Sequence, residues 1–512
     1  MAAVTFCDMT DHALRLLREN VRLAELAAFP FNFDIGRASH GHVEEVRLAS
    51  GGPLDIVAGD DTGGTYFVCA DGSLLYADSE GSAGIIGSSV DEALEIMIGL
   101  AEAEEDEEGE GEGEGEGEED GEGPRQGPGL EDARAELRAA LGFPERPAAE
   151  LEALLDAALL RTEPDFVLLN GTEHNAYQLL DSYPRPPLWE PVLASGRTDL
   201  ALLRAGDPAA REAVAEDPVR RRLALRAAQF DRAEGDLELL RHLLRHEAAS
   251  SMTEELRVAA VLVGLYGDTS DLALLNEVRE TDFDTACGLG GMPEPGASAE
   301  ELRTWARELD DMLVGADPTD EPLSTWTDLA RDQGMTELAR VALIRDLDEI
   351  VMDQSRLRRP DASRALTTAP LRALARDFEE LGDRTQALRA QRLYTALQET
   401  AWDRVSARLD QAGLERADGQ LAEATRSLEA LRGILADPGD DSLRHWQGVY
   451  FGRFIAQEHY RLTHALADAH LPEEARALLT AADEILGELS ENAASGVREL
   501  AEATAARVRE VS

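Results

Sequence analysis

Two histidine pairs are the side chains best spaced to do chemistry in this chain. Ser39-His40-Gly41-His42 sets two imidazoles in a loop, and His242-x-x-x-His246 sets two on one face of a helix, because residues four apart lie one above the other. Either pair could supply two ligands to a metal such as zinc, which takes four. No third ligand stands near either pair in sequence, and the zinc-protease spacing HExxH is absent. The helical pair therefore reads as a solvated face beside Arg241 and Arg245, and no metal is expected. The turn Gly59-Asp60-Asp61-Thr62-Gly63-Gly64 has the glycine content of a phosphate loop. A phosphate cradle needs a lysine or a helix N-terminus after the glycines. Here a strand follows, the chain has no lysine, and Asp60 and Asp61 would repel an anion. Calcium would need a glutamate at loop spacing downstream, and none is there, so the turn reads as a hairpin. No Ser or Cys sits in a nucleophile-elbow context. No catalytic residue and no cofactor is expected, and the chain reads as a non-enzyme.

The elements that carry these residues fall into two kinds. Ile56 to Ile98 has hairpin grammar, with short apolar runs broken at Gly63-Gly64 and Asp71-Gly72. Strands are expected over 54–58, 65–69 and 73–77, with 43–48 as an edge strand. A Gly-rich connection then leads into an amphipathic helix over 90–98. Before them, residues 10–27 repeat Leu14, Leu17 and Val21 at helical spacing, which predicts one helix. From Leu130 onward helical periodicity dominates, with breaks at Pro164, Pro184 to Pro187, Gly206-Asp207-Pro208 and Gly288 to Gly296; residues 164–169 read as either helix or strand. Between the two kinds, EGEGEGEGEED has no apolar residue and cannot bury a core, so a flexible acidic linker is expected.

The last part of the chain repeats a phrase: a helix ends, a small or polar residue turns the chain, and a second helix starts with an alanine at a fixed offset. The alanines are Ala339, Ala387, Ala424 and Ala475, followed four residues later by Leu343, Gln391, Leu428 and Leu479. A small residue there lets two antiparallel helices approach closely. The phrase resembles tetratricopeptide repeats, although its spacing is irregular and the aromatic positions of that family are mostly replaced. The expected fold class is an α+β N-terminal domain, a small antiparallel sheet with flanking helices, followed by an all-α helical-repeat region. The expected domains are 1–100, a linker over 101–129, a helical domain over 130–315, and repeats over 316–512.

Charge narrows the partners. The chain of 512 residues carries 102 acids against 49 bases, a net charge of −53. Fourteen acids lie between Glu102 and Glu122 with no base among them, and removing those fourteen from −53 still leaves −39. A phosphate backbone needs clustered cations, so nucleic acid is not expected as a ligand; a basic protein surface is. Arg220-Arg221-Arg222 reads as an internal salt-bridge cluster, and the five tryptophans as packing anchors between helices. No apolar run approaches the roughly 18 residues that span a membrane, and the N-terminus lacks the charge pattern of a signal peptide. Three cysteines far apart suggest reduced thiols, which together predict a cytoplasmic location.

Residues 54–98 resemble the SUKH superfamily. The resemblance rests on the acidic, Gly-rich phrase Gly59 to Gly64, the strand Leu75-Tyr76-Ala77 ending in Asp78, and the helix start Val90-Asp91-Glu92-Ala93-Leu94. No Trp precedes Trp189, so the Gly-Trp element of that family has no counterpart here. The resemblance implies a bacterial immunity protein that binds a toxin domain, often a nuclease, and blocks it without chemistry. On that reading Asp60, Asp61, Tyr66, Tyr76, Asp78 and Glu80 are the expected partner contacts, and the partner is a basic toxin domain. The alternative is a regulatory or scaffold protein whose helical repeats bind peptide or protein partners.

Overall fold

The computed structural model describes residues 12–101, 129–358, 366–448 and 450–511. They fall into two compact units, Met1–Arg185 and Pro186–Ser512. The fold class is as expected: a small sheet with flanking helices, then a long all-helical region. The domain boundaries are not.

The first unit begins with two helices, α1 (His12–Glu19) and α2 (Val21–Ala28), where one was expected. The break is Asn20, whose side chain accepts from the N–H groups of Arg22 and Leu23 and so caps the second helix. Then come β1 (Val46–Leu48), β2 (Leu54–Gly59), β3 (Thr65–Cys69), β4 (Leu74–Ala77), β5 (Ser82–Gly87) and α3 (Val90–Leu100). After residue 128 the same unit continues with α4 (Leu130–Leu141), α5 (Ala148–Leu160), β6 (Leu168–Asn170) and β7 (Gln178–Leu179). The main sheet runs β2-β3-β4-β5-β7, antiparallel except that β7 adds parallel to β5. β1 pairs with β6 as a separate two-stranded ribbon.

Burial on both sheet faces explains why residues 1–100 are not a complete domain. Side chains alternate across β3. Tyr66 and Val68 face a core built with Leu14, Leu26, Leu94 and Leu137. Phe67 and Cys69 face a second core built with Ile85, Ala158, Leu168 and Tyr177. Residues from α4 thus complete one face, and residues from α5 and β6 the other. The boundary expected at 100 therefore lies at 185, and the segment expected as a linker joins two parts of one unit; its residues 102–128 lie outside those described.

The second unit runs through α6 (Trp189–Ala205), α7 (Pro208–Glu216), α8 (Pro218–Phe230), α9 (Leu237–Glu247), α10 (Glu254–Tyr266), α11 (Asp271–Arg279), α12 (Phe283–Gly288) and α13 (Ala299–Leu309). It continues with α14 (Leu323–Asp332), α15 (Thr336–Met352), α16 (Ala369–Glu380), α17 (Arg384–Ala396), α18 (Ala401–Ala417), α19 (Leu421–Ala436), α20 (Tyr450–Asp468) and α21 (Pro472–Glu488), and closes with α22 (Glu491–Ser495) and α23 (Arg498–Val511). The division expected between 315 and 316 is not a core boundary, because Val192, Leu193 and Leu223 share a cluster with Trp326, Ala330 and Ala339. The arginine cluster is internal as expected: Arg220 pairs with Asp199, and Arg221 and Arg222 share Glu247.

The repeated phrase is a repeated cap. In α14–α15, α16–α17, α18–α19 and α20–α21 the helices pack in pairs. Each first helix ends in a left-handed residue: Gly334, Gly382, Gly419 and His470, with φ of 78°, 75°, 78° and 59°. The next N–H reaches back five residues, from Met335 to Ala330, Asp383 to Phe378, Gln420 to Glu415, and Leu471 to Leu466, at 2.8–3.0 Å. That reversal satisfies carbonyls the helix end would leave unpaired. It also delivers each phrase alanine as the fourth residue of the second helix, where all four are fully buried.

Candidate functional site

The turns that carry the expected contact residues gather at one end of the main sheet. The β2–β3 turn spans 60–64 and the β4–β5 turn spans 78–81. A Cβ built on Gly63 would lie 3.5 Å from Ser79 and 3.7 Å from Val43, so the turns and the segment before β1 adjoin. Asp60 organises the first turn from inside. Its carboxylate accepts from Gly64 N at 2.7 Å, Thr62 N at 2.9 Å and the Tyr76 hydroxyl at 2.6 Å. Burial alone would raise the Asp60 carboxyl, but the bonds from Tyr76, Gly64 and Thr62 outweigh it and hold the group below the ordinary aspartate range. Gly64 is needed for space, since a Cβ there would come within 2.4 Å of Asp60 and 2.5 Å of the Tyr76 oxygen. Asp78 does the same for the second turn, accepting from Glu80 N at 2.9 Å and Ser82 N at 2.8 Å.

Beside these turns lies a polar cleft of about 340 Å³, lined by Val43, Glu44, Ser79, Glu80, Asn170 and Tyr177 among others, with no Lys or Arg in its wall. A chain of hydrogen bonds runs along its base. Thr65 Oγ1 and His42 Nδ1 are 3.0 Å apart, and His42 Nε2 and the Tyr177 hydroxyl 3.1 Å. Tyr177 donates onward to Glu44, and Asn170 Nδ2 donates to the other Glu44 oxygen at 2.6 Å. The partners assign the protons. A carboxylate only accepts, so Tyr177 donates to Glu44 and must accept from His42; Nε2 then carries the ring proton and Nδ1 accepts from Thr65. Burial holds the His42 imidazole below its ordinary range, against the opposing pull of Glu44 and Asp78, which favours this neutral form. Burial, then the bond to Glu44, pushes the Tyr177 phenol up.

Chemically, this chain fixes a carboxylate at the rim of the cleft. Both nitrogens of His42 are occupied, and Thr65 is only 2% exposed, so the Thr65 hydroxyl is not presented to a substrate. The cleft offers acidic and amide groups to a guanidinium or ammonium from outside.

Comparison with protein families, with curated proteins and with solved structures returns no match.

The six expected contacts divide by burial. Asp61 and Glu80 are exposed and Asp78 is half-buried at its turn. Tyr66 is 4% exposed, packed between Phe33 and Tyr76 with ring centroids 5.0 and 4.9 Å away, so it is core and not a contact. Asp60 is 5% exposed and fully engaged, and Tyr76 is spent on holding it. Glu44, Asn170 and Tyr177 were missed: His42 and Tyr177 are 135 residues apart in the chain, and they meet through the pairing of β1 with β6 and of β7 with β5. In the second unit, His242 and His246 are half-buried on α9, not on the solvated face expected of them, with rings 4.7 Å apart.

Proposed function

We propose that the first unit is a protein-binding module of the immunity type, which neutralises a basic toxin domain by occupying it. The observation that supports this reading is the acidic cleft, where Glu44 is held in place by Tyr177 and Asn170 and exposed Asp61 and Glu80 stand on the adjoining turns. Complementary charge of this kind raises association rates and excludes acidic competitors. The reading is non-enzymatic, needs no cofactor and belongs in a reducing cytoplasm, consistent with Cys69 and Cys287 being free thiols. It is tested by co-expressing the full chain with a cationic toxin domain encoded beside it, scoring growth and co-purification. The intact chain restores growth and co-purifies, and the double reversal Asp61→Arg with Glu80→Arg loses both while its circular dichroism is unchanged. Continued killing beside the intact chain, or full rescue by the reversed variant, overturns the reading.

One observation favours a second reading, a scaffold that binds acidic peptides. A hollow of about 440 Å³ beside α17, α18 and α19 is lined by Arg392, Arg408 and Arg426, together with Glu415 and Glu423. Three arginines line it, Arg392 paired with Glu415 and Arg426 with Glu423, in a chain of net charge −53. Partner loss on Arg408→Glu, with the Asp61 and Glu80 reversal silent, would select this reading over the first.

A further inference from the structure

The third ligand that the sequence lacked for His242 and His246 comes from the neighbouring helix. Glu212 on α7 lies with both histidines of α9 so that one ligand atom from each is within 4.8 Å of the others. The two histidines are adjacent on their helix by the four-residue repeat, and α7 packs along α9 to bring the carboxylate across. His242 Nε2 is shielded from solvent and has no hydrogen-bond partner, and the nearest Glu212 oxygen is 3.6 Å away, too long for a hydrogen bond. A buried ring nitrogen without a partner costs stability, and a bound cation would satisfy it.

We propose that Glu212, His242 and His246 form a binding site for a divalent transition metal of the zinc class. Two imidazoles and one carboxylate are a donor set that suits zinc, cobalt or nickel, whereas magnesium and calcium take oxygen ligands. Ligand atoms about 2.0–2.1 Å from a tetrahedral zinc sit roughly 3.4 Å from one another. The present spacing therefore needs only a small closure, and Glu212, 54% exposed, is free to swing. Three protein ligands leave a fourth position for water. The surrounding charge does not preclude occupancy. Burial and the neighbouring His246 hold His242 below its ordinary range, with Glu212 opposing and Arg211 and Arg245 adding to the depression. Arg211 and Arg245 weaken attraction to a cation, which is why the site relies on coordinate bonds and should ignore hard cations. Binding would add a coordinate tie to the direct packing of α7 against α9.

The test uses the full chain, freed of metal with a chelator, because an acidic chain collects divalent cations weakly everywhere. It is titrated calorimetrically with zinc in excess magnesium, alongside Glu212→Gln and the double variant His242→Ala with His246→Ala. The intact chain shows one saturating zinc site, raises its thermal midpoint on loading, and gives the intense visible bands of tetrahedral coordination with cobalt. Glu212→Gln, an exposed change that does not threaten the fold, weakens the site by about tenfold or more, and the double histidine variant abolishes it. The absence of a saturating site in the intact chain overturns the proposal, and so does an equal affinity in Glu212→Gln or in a folded double variant.

Discussion

Asp60 shows how a residue that looks like a binding group is consumed by its own turn. Sequence reasoning could see that Gly59 to Gly64 was a hairpin turn, because three glycines and two aspartates between apolar runs admit little else. It could not see which aspartate turned inward, since that depends on Tyr76 arriving from the next strand to donate at 2.6 Å. The same blindness hid Glu44, whose partners Tyr177 and Asn170 come from beyond residue 128. Asp60 makes a sharp prediction. Its folded pKa is depressed, so its contribution to stability is complete above the unfolded value of 3.8 and is lost as pH falls through the folded value. Asp60→Asn should therefore destabilise the first unit by about 1.5–3 kcal/mol near neutral pH, the worth of hydrogen bonds to a charged acceptor. The gap between variant and parent should close as pH drops below about 4. Denaturant midpoints for both chains across that range check it, and a gap that persists in acid would mean the carboxylate charge is irrelevant.

At the scale of elements, periodicity was legible and small-residue strands were not. The four phrase alanines were visible because each follows a left-handed cap by five residues, and a fixed cap fixes the register of the next helix. Strand β5 was hidden because SAGIIG reads as a flexible connection. Its glycines serve packing instead: a Cβ at Gly87 would lie 2.6 Å from Ala93 N, and one at Gly84 3.1 Å from Leu159, so α3 and α5 can lie close to the strand. The caps also make a prediction with opposite signs at equivalent sites. His470 is the one cap of the four that is not glycine, at φ 59°. Left-handed backbone costs a residue with a Cβ about 1–2 kcal/mol, and glycine costs about 0.5–1 kcal/mol in extra chain entropy. His470→Gly should then stabilise the second unit by roughly 0.5–1 kcal/mol. Gly382→Ala should destabilise it by a similar amount through φ alone, because nothing lies within 4 Å of that Cβ. Thermal unfolding of the two variants measures both signs.

For the whole molecule, the boundary at 185 means that the two cores can be titrated by different side chains. Asp60 reports on the first unit in acid, and His459 on the second at milder pH. His459 is fully buried on α20, donates from Nδ1 to Ile455 O at 2.8 Å, and burial depresses it to about 4. Since the folded pKa lies below the unfolded 6.5, the unfolded chain binds the proton first. The stability from keeping this ring neutral is full above pH 6.5 and is lost progressively down to about 4, a change on the order of 2–3 kcal/mol. Protonation of the many carboxylates relieves repulsion over part of the same range, so the comparison must be with His459→Leu, which lacks the titration but keeps the acids. Amide exchange read segment by segment at pH 6.5 and 4.5, corrected for the intrinsic pH dependence of exchange, then separates the units. The parent should lose protection in α18 to α21 relative to His459→Leu, while β2 to β5 respond equally in both chains. Equal loss of protection in β2 to β5 would mean that the two cores unfold as one, and that Arg185 marks only a change in contact density rather than the edge of a cooperative unit.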